Sequence, residues 1–133
     1  MSLLLVDTSV IIDFLRSRKK DQTLFFKLFV KEKHQLALPL VVVSELWAGQ
    51  SLDQPSVRRK LQNLINQSTI LKSNLETAKL TGRIIRRLSR KGQIISYQDV
   101  AIAACAKYYQ LPLVTLNLKD FKKIQNLLLY KQT

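Results

Sequence analysis

The 133-residue sequence has little of what most enzyme chemistry and most extracellular scaffolds rely on: one cysteine, one histidine, three glycines and three prolines. A lone Cys105 cannot close a disulfide within the chain, which excludes the cross-linked frameworks of small secreted domains. It falls in the run AIAACAKYY, where a small buried thiol is the natural role. His34 stands between Lys33 and Gln35, and one histidine gives the usual zinc clusters and Ser-His-Asp arrangements too little support. With so few glycines and prolines there is no long linker, and the chain shows no repeat or low-complexity tract, so residues 1–133 read as one domain. No stretch reaches the roughly 18 apolar residues of a membrane span. Asp7 and Asp13 interrupt the N-terminal apolar segment that a secretory signal would need. These absences predict a soluble, cytoplasmic protein without membrane association. Acids are scarce too, with nine Asp and Glu against 22 Lys and Arg.

What is present begins with that imbalance. A net charge of +13 is the footprint of polyanion binding, with nucleic acid the first expectation. Arg83, Arg86, Arg87 and Arg90 recur at i, i+3, i+4 and i+7, while Ile84, Ile85 and Leu88 turn away from them on the same predicted helix. Two further basic clusters occur at Arg16–Lys20 and Arg58–Lys60. Any one cluster could be a solvated helix face; the overall excess is not explained that way. At 47% hydrophobic residues the chain is also long and apolar enough to bury a core.

The patterning predicts short apolar strands separated by helices. Leu3–Val6 is a continuous apolar run, as in a strand covered on both faces. Thr8 or Ser9 can cap a helix over about 9–18, and Asp21 another over about 22–33. A second strand spans 35–38, Pro39 opens the helical LVVVSELWAGQ, and SLDQPS leads into a helix ending near Asn66. STILKS is a third strand, with Ser73 and Glu76 forming a capping box for a helix over 75–91 that Gly92 ends. Ser96 starts a helix reaching Tyr109, 112–115 is a fourth strand, a helical turn occupies 118–123, and NLLLYK is a last strand. Such alternation implies an α/β fold, a mostly parallel sheet wrapped on both sides in an α/β/α sandwich.

The nine acids can then be placed on this map. Asp7 falls at the carboxyl end of the first strand, where open α/β sheets hold ligands, although it could simply complement the following helix. Glu45 has Val41, Val42, Ala48 and Gly49 one helical turn away, and a carboxylate on such a face needs compensation. Asp99 precedes Ile102, Ala103 and Ala106 in a similar arrangement, and LVTLNLKDF contributes Thr115, Asn117 and Asp120. If the strands are parallel, Asp7 and Thr115 emerge on one edge. Ser96–Asp99 and Asn117–Asp120 could also be capping boxes. Asp13, Asp21, Glu32, Asp53 and Glu76 read as surface or capping residues. Glu45 has no basic residue within a helical turn, and a divalent cation accounts for it.

VDTSVIIDFL, VVVSELWAG, YQDVAIAACA and LVTLNLKDF resemble, in order and across residues 6–121, the four motifs of the PIN-domain ribonucleases, especially the VapC-type toxins of toxin–antitoxin pairs. The resemblance implies a three-layer PIN-like domain and a metal-dependent endoribonuclease that cleaves RNA phosphodiester bonds. It implies that Asp7, Glu45 and Asp99 hold Mg²⁺ or Mn²⁺, with Ser9 and Thr115 as hydroxyls beside them. Many members carry an acid where this chain has Asn117, so either Asn117 or Asp120 completes the set. It further implies an RNA substrate, a small antitoxin partner and a homodimer, and the arginine stripe of Arg83, Arg86, Arg87 and Arg90, read from charge and spacing, would hold the RNA backbone. Mg²⁺ prefers hard oxygen ligands and keeps several waters, so carboxylates suit it and no histidine is required. A non-catalytic nucleic-acid-binding module would share the charge but leave Glu45 unexplained. A response-regulator receiver lacks its phosphoacceptor here, since STILKS carries no acid.

Overall fold

The computed structural model describes residues 2–131. Four parallel strands form one sheet: β1 (Leu3–Val6), β2 (Gln35–Pro39), β3 (Thr69–Leu71) and β4 (Leu113–Val114), in the spatial order β3-β2-β1-β4. Leu4, Leu5 and Val6 are buried, as are Leu36 to Pro39. Strands enclosed on both faces have no polar side to present, and this is why the apolar runs are continuous rather than alternating. Register is direct, with Leu4 opposite Leu36 and Val6 opposite Val114.

Helices cover both faces of the sheet: α1 (Thr8–Arg16), α2 (Leu40–Trp47), α3 (Pro55–Asn66), α4 (Leu75–Arg90), α5 (Tyr97–Tyr109) and the short α6 (Leu118–Phe121). α5 is buried along almost its whole middle, Ile102 to Ala106 including Cys105, and packs mainly on α4. Burial pushes the Cys105 thiol up to about 11, so it is an inert core residue. Gly92 ends α4 at φ +67°, its N–H bonded to Ser89 O and the Gln93 N–H to Leu88 O. These are the paired bonds of a left-handed C-terminal cap, which glycine adopts without a Cβ penalty.

Local details depart from the expected elements in several places. Thr23, not Asp21, starts the second helical segment: its hydroxyl accepts from the Phe26 N–H at 3.2 Å, because Lys20–Gln22 closes a 3₁₀ turn of its own. That segment is a π-helix over Phe26–Lys31, shorter than expected, with the Glu32 N–H bonded to Lys27 O five residues back. Helix α4 is capped by Asn74 with Thr77 rather than by Ser73 with Glu76; both reciprocal bonds are made, at 2.9 and 2.8 Å. NLLLYK does not become a strand. It is hydrogen-bonded to the sheet through a single Leu113–Leu129 bridge, and Leu127, Leu129 and Tyr130 pack against the core.

Candidate active site

The strand order reverses beside β1. From β1 the chain builds outward through β2 and β3, then returns to lay β4 on the other side of β1. In open parallel sheets the crevice at such a reversal, at the carboxyl ends of the strands, is where ligands bind. Asp7 follows β1 and Thr115 follows β4, so these two residues flank that crevice, joined by the Asp7 N–H to Val114 O bond of 3.2 Å.

Asp7 is only 3% exposed and is held at both oxygens. Ser9 Oγ donates to Oδ1 and Thr115 Oγ1 to Oδ2, each at 2.6 Å. Each hydroxyl in turn accepts from the loop after β4, Ser9 from the Leu116 N–H at 3.1 Å and Thr115 from the Asn117 N–H at 2.9 Å. Ser9 and Thr115 therefore clamp that loop to the carboxylate. The expected cap of α1 by Thr8 or Ser9 is not made: both lie inside the helix, and Asp7 itself occupies the cap position. The Ser9 and Val10 amides face its carboxylate and favour its charged form, without completing a cap bond of ordinary geometry. Burial outweighs all these donors and raises the Asp7 pKa above its usual value.

Glu45, half-buried on α2, accepts from Thr8 Oγ1 at 3.0 Å. The helix ends at Trp47, so Ala48 and Gly49 are exposed and leave the approach to Glu45 open. Asp99 sits in the first turn of α5, where Ser96 Oγ accepts from its backbone N–H at 3.2 Å. The bond that caps α5 is thus made by the Asp99 backbone and does not require its carboxylate. Burial first, then the negative charge of Asp7, and lesser contributions from Glu45 and Asp120 raise the Asp99 pKa, against a smaller opposing effect of the Ser96 hydroxyl. The four acids belong to one electrostatic neighbourhood. Asp120 differs from the others, because Asn117 Nδ2 donates to it at 3.1 Å and Lys123 Nζ lies 3.4 Å away. These donors hold its pKa below the usual carboxylate range. Asn117–Asp120 is therefore a side-chain contact rather than a capping box.

Among the described residues, no three Asp, Glu, His or Cys side chains converge closely enough to form a ready-made metal cage. The donor set nevertheless suits a hard divalent cation. It consists of carboxylate oxygens that repel one another across an open edge, and the charges acting on Asp99, those of Asp7, Glu45 and Asp120, are all negative.

Arg83, Arg86, Arg87 and Arg90 are all exposed on α4. Arg83 and Arg87 line a groove together with Lys91, Lys107 and Lys123, whereas Arg86 and Arg90 lie outside it. The sequence pattern did not single out Lys107 and Lys123, which line this groove, or the Thr8 hydroxyl, which donates to Glu45. The lysines come from α5 and from beyond α6, and no periodicity links them to the α4 stripe; Thr8 carried the signal of adjoining Asp7 but reads equally as a cap. His34 is remote in role, accepting from the Ser2 N–H at 3.0 Å and contacting Glu32 at 3.2 Å. No helix among the described residues is long and apolar enough to cross a membrane.

A parallel α/β domain with a buried carboxylate at its switch point and further acids around it defines a class of acidic, sheet-edge sites. The chain belongs to the PIN domain family, whose model matches residues 4–127. It is 30% identical over 129 residues to Ribonuclease VapC of Rickettsia bellii, covering 93% of this chain and 92% of that protein. It is 25% identical over 122 residues to Ribonuclease VapC2 of Haemophilus influenzae, covering 90% of each. Among solved structures, VapBC2 from Rickettsia felis bound to a DNA fragment from its promoter superposes with a TM-score of 0.81 at 25% identity, covering the whole of both chains.

Proposed function

We propose that the protein is a metal-dependent endoribonuclease of the VapC type, the toxin of a toxin–antitoxin pair. The observation that carries this reading is the buried Asp7 at the switch point, fixed by two hydroxyls, with its charge and those of Glu45 and Asp120 acting on Asp99. The likeness to proteins named Ribonuclease VapC supports the substrate class. Asp7, Glu45 and Asp99 would hold Mg²⁺ or Mn²⁺, with Asn117 or Asp120 completing the set.

A bound divalent cation supplies Lewis acidity, acidifying an attacking water and offsetting charge on phosphate oxygens. The chain's own residues provide the rest. Ser9 and Thr115 hold the Asp7 oxygens in one orientation, and Thr8 does the same for Glu45. The α4 arginines bind the RNA backbone without regard to sequence, and selectivity comes from the shape of a particular RNA. The reading brings with it a small antitoxin partner, in line with the VapBC2 neighbour, and a homodimeric assembly.

Asp7→Asn tests it, since the change removes one ligand charge and little volume. The variant should keep the far-UV circular dichroism of wild type and lose cleavage of RNA in Mg²⁺ buffer down to the level seen in EDTA. Cleavage at the wild-type rate by this variant would overturn the assignment.

A further inference from the structure

The groove that takes Arg83 and Arg87 has a volume of about 290 Å³, close to the lower end of small-ligand sites. Its rim carries Arg83, Arg87, Lys91, Lys107 and Lys123, and no Asp or Glu lines it. Its floor is apolar, built from Ile84, Leu88 and Ile124. Lys123 has Asp120 3.4 Å away, but Arg83, Arg87, Lys91 and Lys107 form no salt bridge among the described residues, and an entering anion relieves their mutual repulsion.

Two of these cations are positioned by one residue. Gln125 accepts from Arg87 Nη1 through its side chain at 2.6 Å and from Lys107 Nζ through its backbone carbonyl at 3.1 Å. Burial, followed by the charges of Arg87 and Arg83, lowers the Lys107 pKa, a sign that the cations are crowded. The groove also communicates with the acidic edge. Lys123 lines it and approaches Asp120 at 3.4 Å. Helix α5 carries Asp99 near one end and Lys107 toward the other, about 12 Å apart at 1.5 Å per residue.

We propose that this groove binds the single-stranded RNA next to the cleavage point, its rim holding backbone phosphate and its apolar floor receiving a base. The proposal rests on the ribonuclease reading, and goes beyond it by adding Lys107, Lys123 and the floor to the substrate path and by placing Arg83 and Arg87, rather than Arg86 and Arg90, at the strand next to the cleavage point. A cationic rim over an apolar floor matches a nucleotide better than a bare anion, since every base has an apolar face to bury. Phosphate contacts of this kind fix the register of a strand, so that one phosphodiester reaches the acids.

The test is the binding of a fluorescein-labelled 12-nucleotide single-stranded RNA to the full chain in EDTA, followed by anisotropy. The double variant Arg83→Gln/Arg87→Gln should weaken binding roughly tenfold and flatten the plot of log K against log salt by about 1.4, or 0.7 for each phosphate no longer neutralised. The charge-matched control Arg59→Gln/Lys60→Gln on α3 should change affinity by less than about twofold, because exposed charges beyond a Debye length are screened. Lys107→Gln should act in the same direction as the arginine pair. Equal losses in pair and control would overturn the groove as a site. So would groove variants that lose binding of an acidic 12-residue peptide but keep that of RNA, a result assigning the groove to a protein partner. Cleavage assays in Mg²⁺ separate the two claims. A wild type that binds RNA through the groove but never cuts it removes the ribonuclease reading alone, whereas a variant pair with unchanged kcat/KM removes the groove alone.

Discussion

At the scale of single residues, the site is organised by hydroxyls rather than by charges. Asp7 is held by Ser9 and Thr115, which bond its oxygens and the 116–117 backbone at once. Such donors orient a carboxylate without neutralising it, and this leaves repulsion among the acids unrelieved. Asp99 reports on that repulsion most cleanly, because the bond that caps its helix is made by its backbone N–H and survives replacement of the side chain. Its folded-state pKa is raised above 3.8. A raised carboxyl favours the folded state fully below the unfolded pKa, and that contribution is lost as pH rises through the folded value. At pH 7.5 in EDTA, Asp99→Asn should therefore melt at a higher temperature than wild type, and the gap should shrink as pH falls toward 3.8. Adding Mn²⁺ should raise the wild-type midpoint more than the variant's, since a ligand is gone. A variant that melts lower in EDTA and keeps the full metal shift would take Asp99 out of the site.

At the scale of elements, the ends of helices decide how accurately the side chains are delivered. Helix α1, which carries Thr8 and Ser9, finishes under Lys20, whose ammonium donates to the carbonyls of Phe14, Leu15 and Ser17 at 2.7, 3.1 and 3.2 Å. That closes the carbonyl end of the helix and favours its dipole. Helix α4, which presents the arginines, starts from the reciprocal Asn74–Thr77 bonds. Asn74→Ala should cost about 1 kcal/mol in urea denaturation, whereas Ser73→Ala and Glu76→Ala should each stay within about 0.5 kcal/mol as ordinary surface changes. The reverse ranking would return the cap to Ser73. Ser73 and Asn74 are adjacent capping residues, each with a suitable partner three positions on, so local pattern could not choose between them; the choice follows from where β3 releases the chain.

At the scale of the whole molecule, +13 acts on stability and on binding with opposite signs. The described residues form three salt bridges, His34–Glu32, Lys79–Glu76 and Lys123–Asp120, so salt has few favourable pairs to weaken and much like-charge repulsion to screen. Raising NaCl from about 0.05 to about 0.3 M should raise the thermal midpoint of the free protein, as the Debye length shortens from near 14 Å toward 6 Å. Over the same range RNA affinity should fall steeply through loss of counterion release. A midpoint that falls with salt would mean that paired charges, rather than repulsion, dominate the folded state.

The residues by themselves determined the α/β class and four of the strands, because continuous apolar runs leave few physical alternatives, and they left Glu45 as a carboxylate without a structural role; Asp7 and Asp99 read equally as helix-start residues, and the set of three came from the resemblance to the PIN-domain ribonucleases. Periodicity also placed the arginine stripe on α4. The strand order was decided only in three dimensions: it puts β4 beside β1, and so brings Thr115 within 2.6 Å of a carboxylate 108 positions away. NLLLYK, apolar enough to read as a strand, makes only a single bridge to Leu113, an outcome of packing that a local pattern does not encode. The division of the arginines between groove and open surface, and the joining of Arg83 and Arg87 to Lys107 and Lys123, likewise depend on which face of α4 meets α5. Local sequence sets which side chains an element can offer, whereas packing between distant elements sets which of them meet.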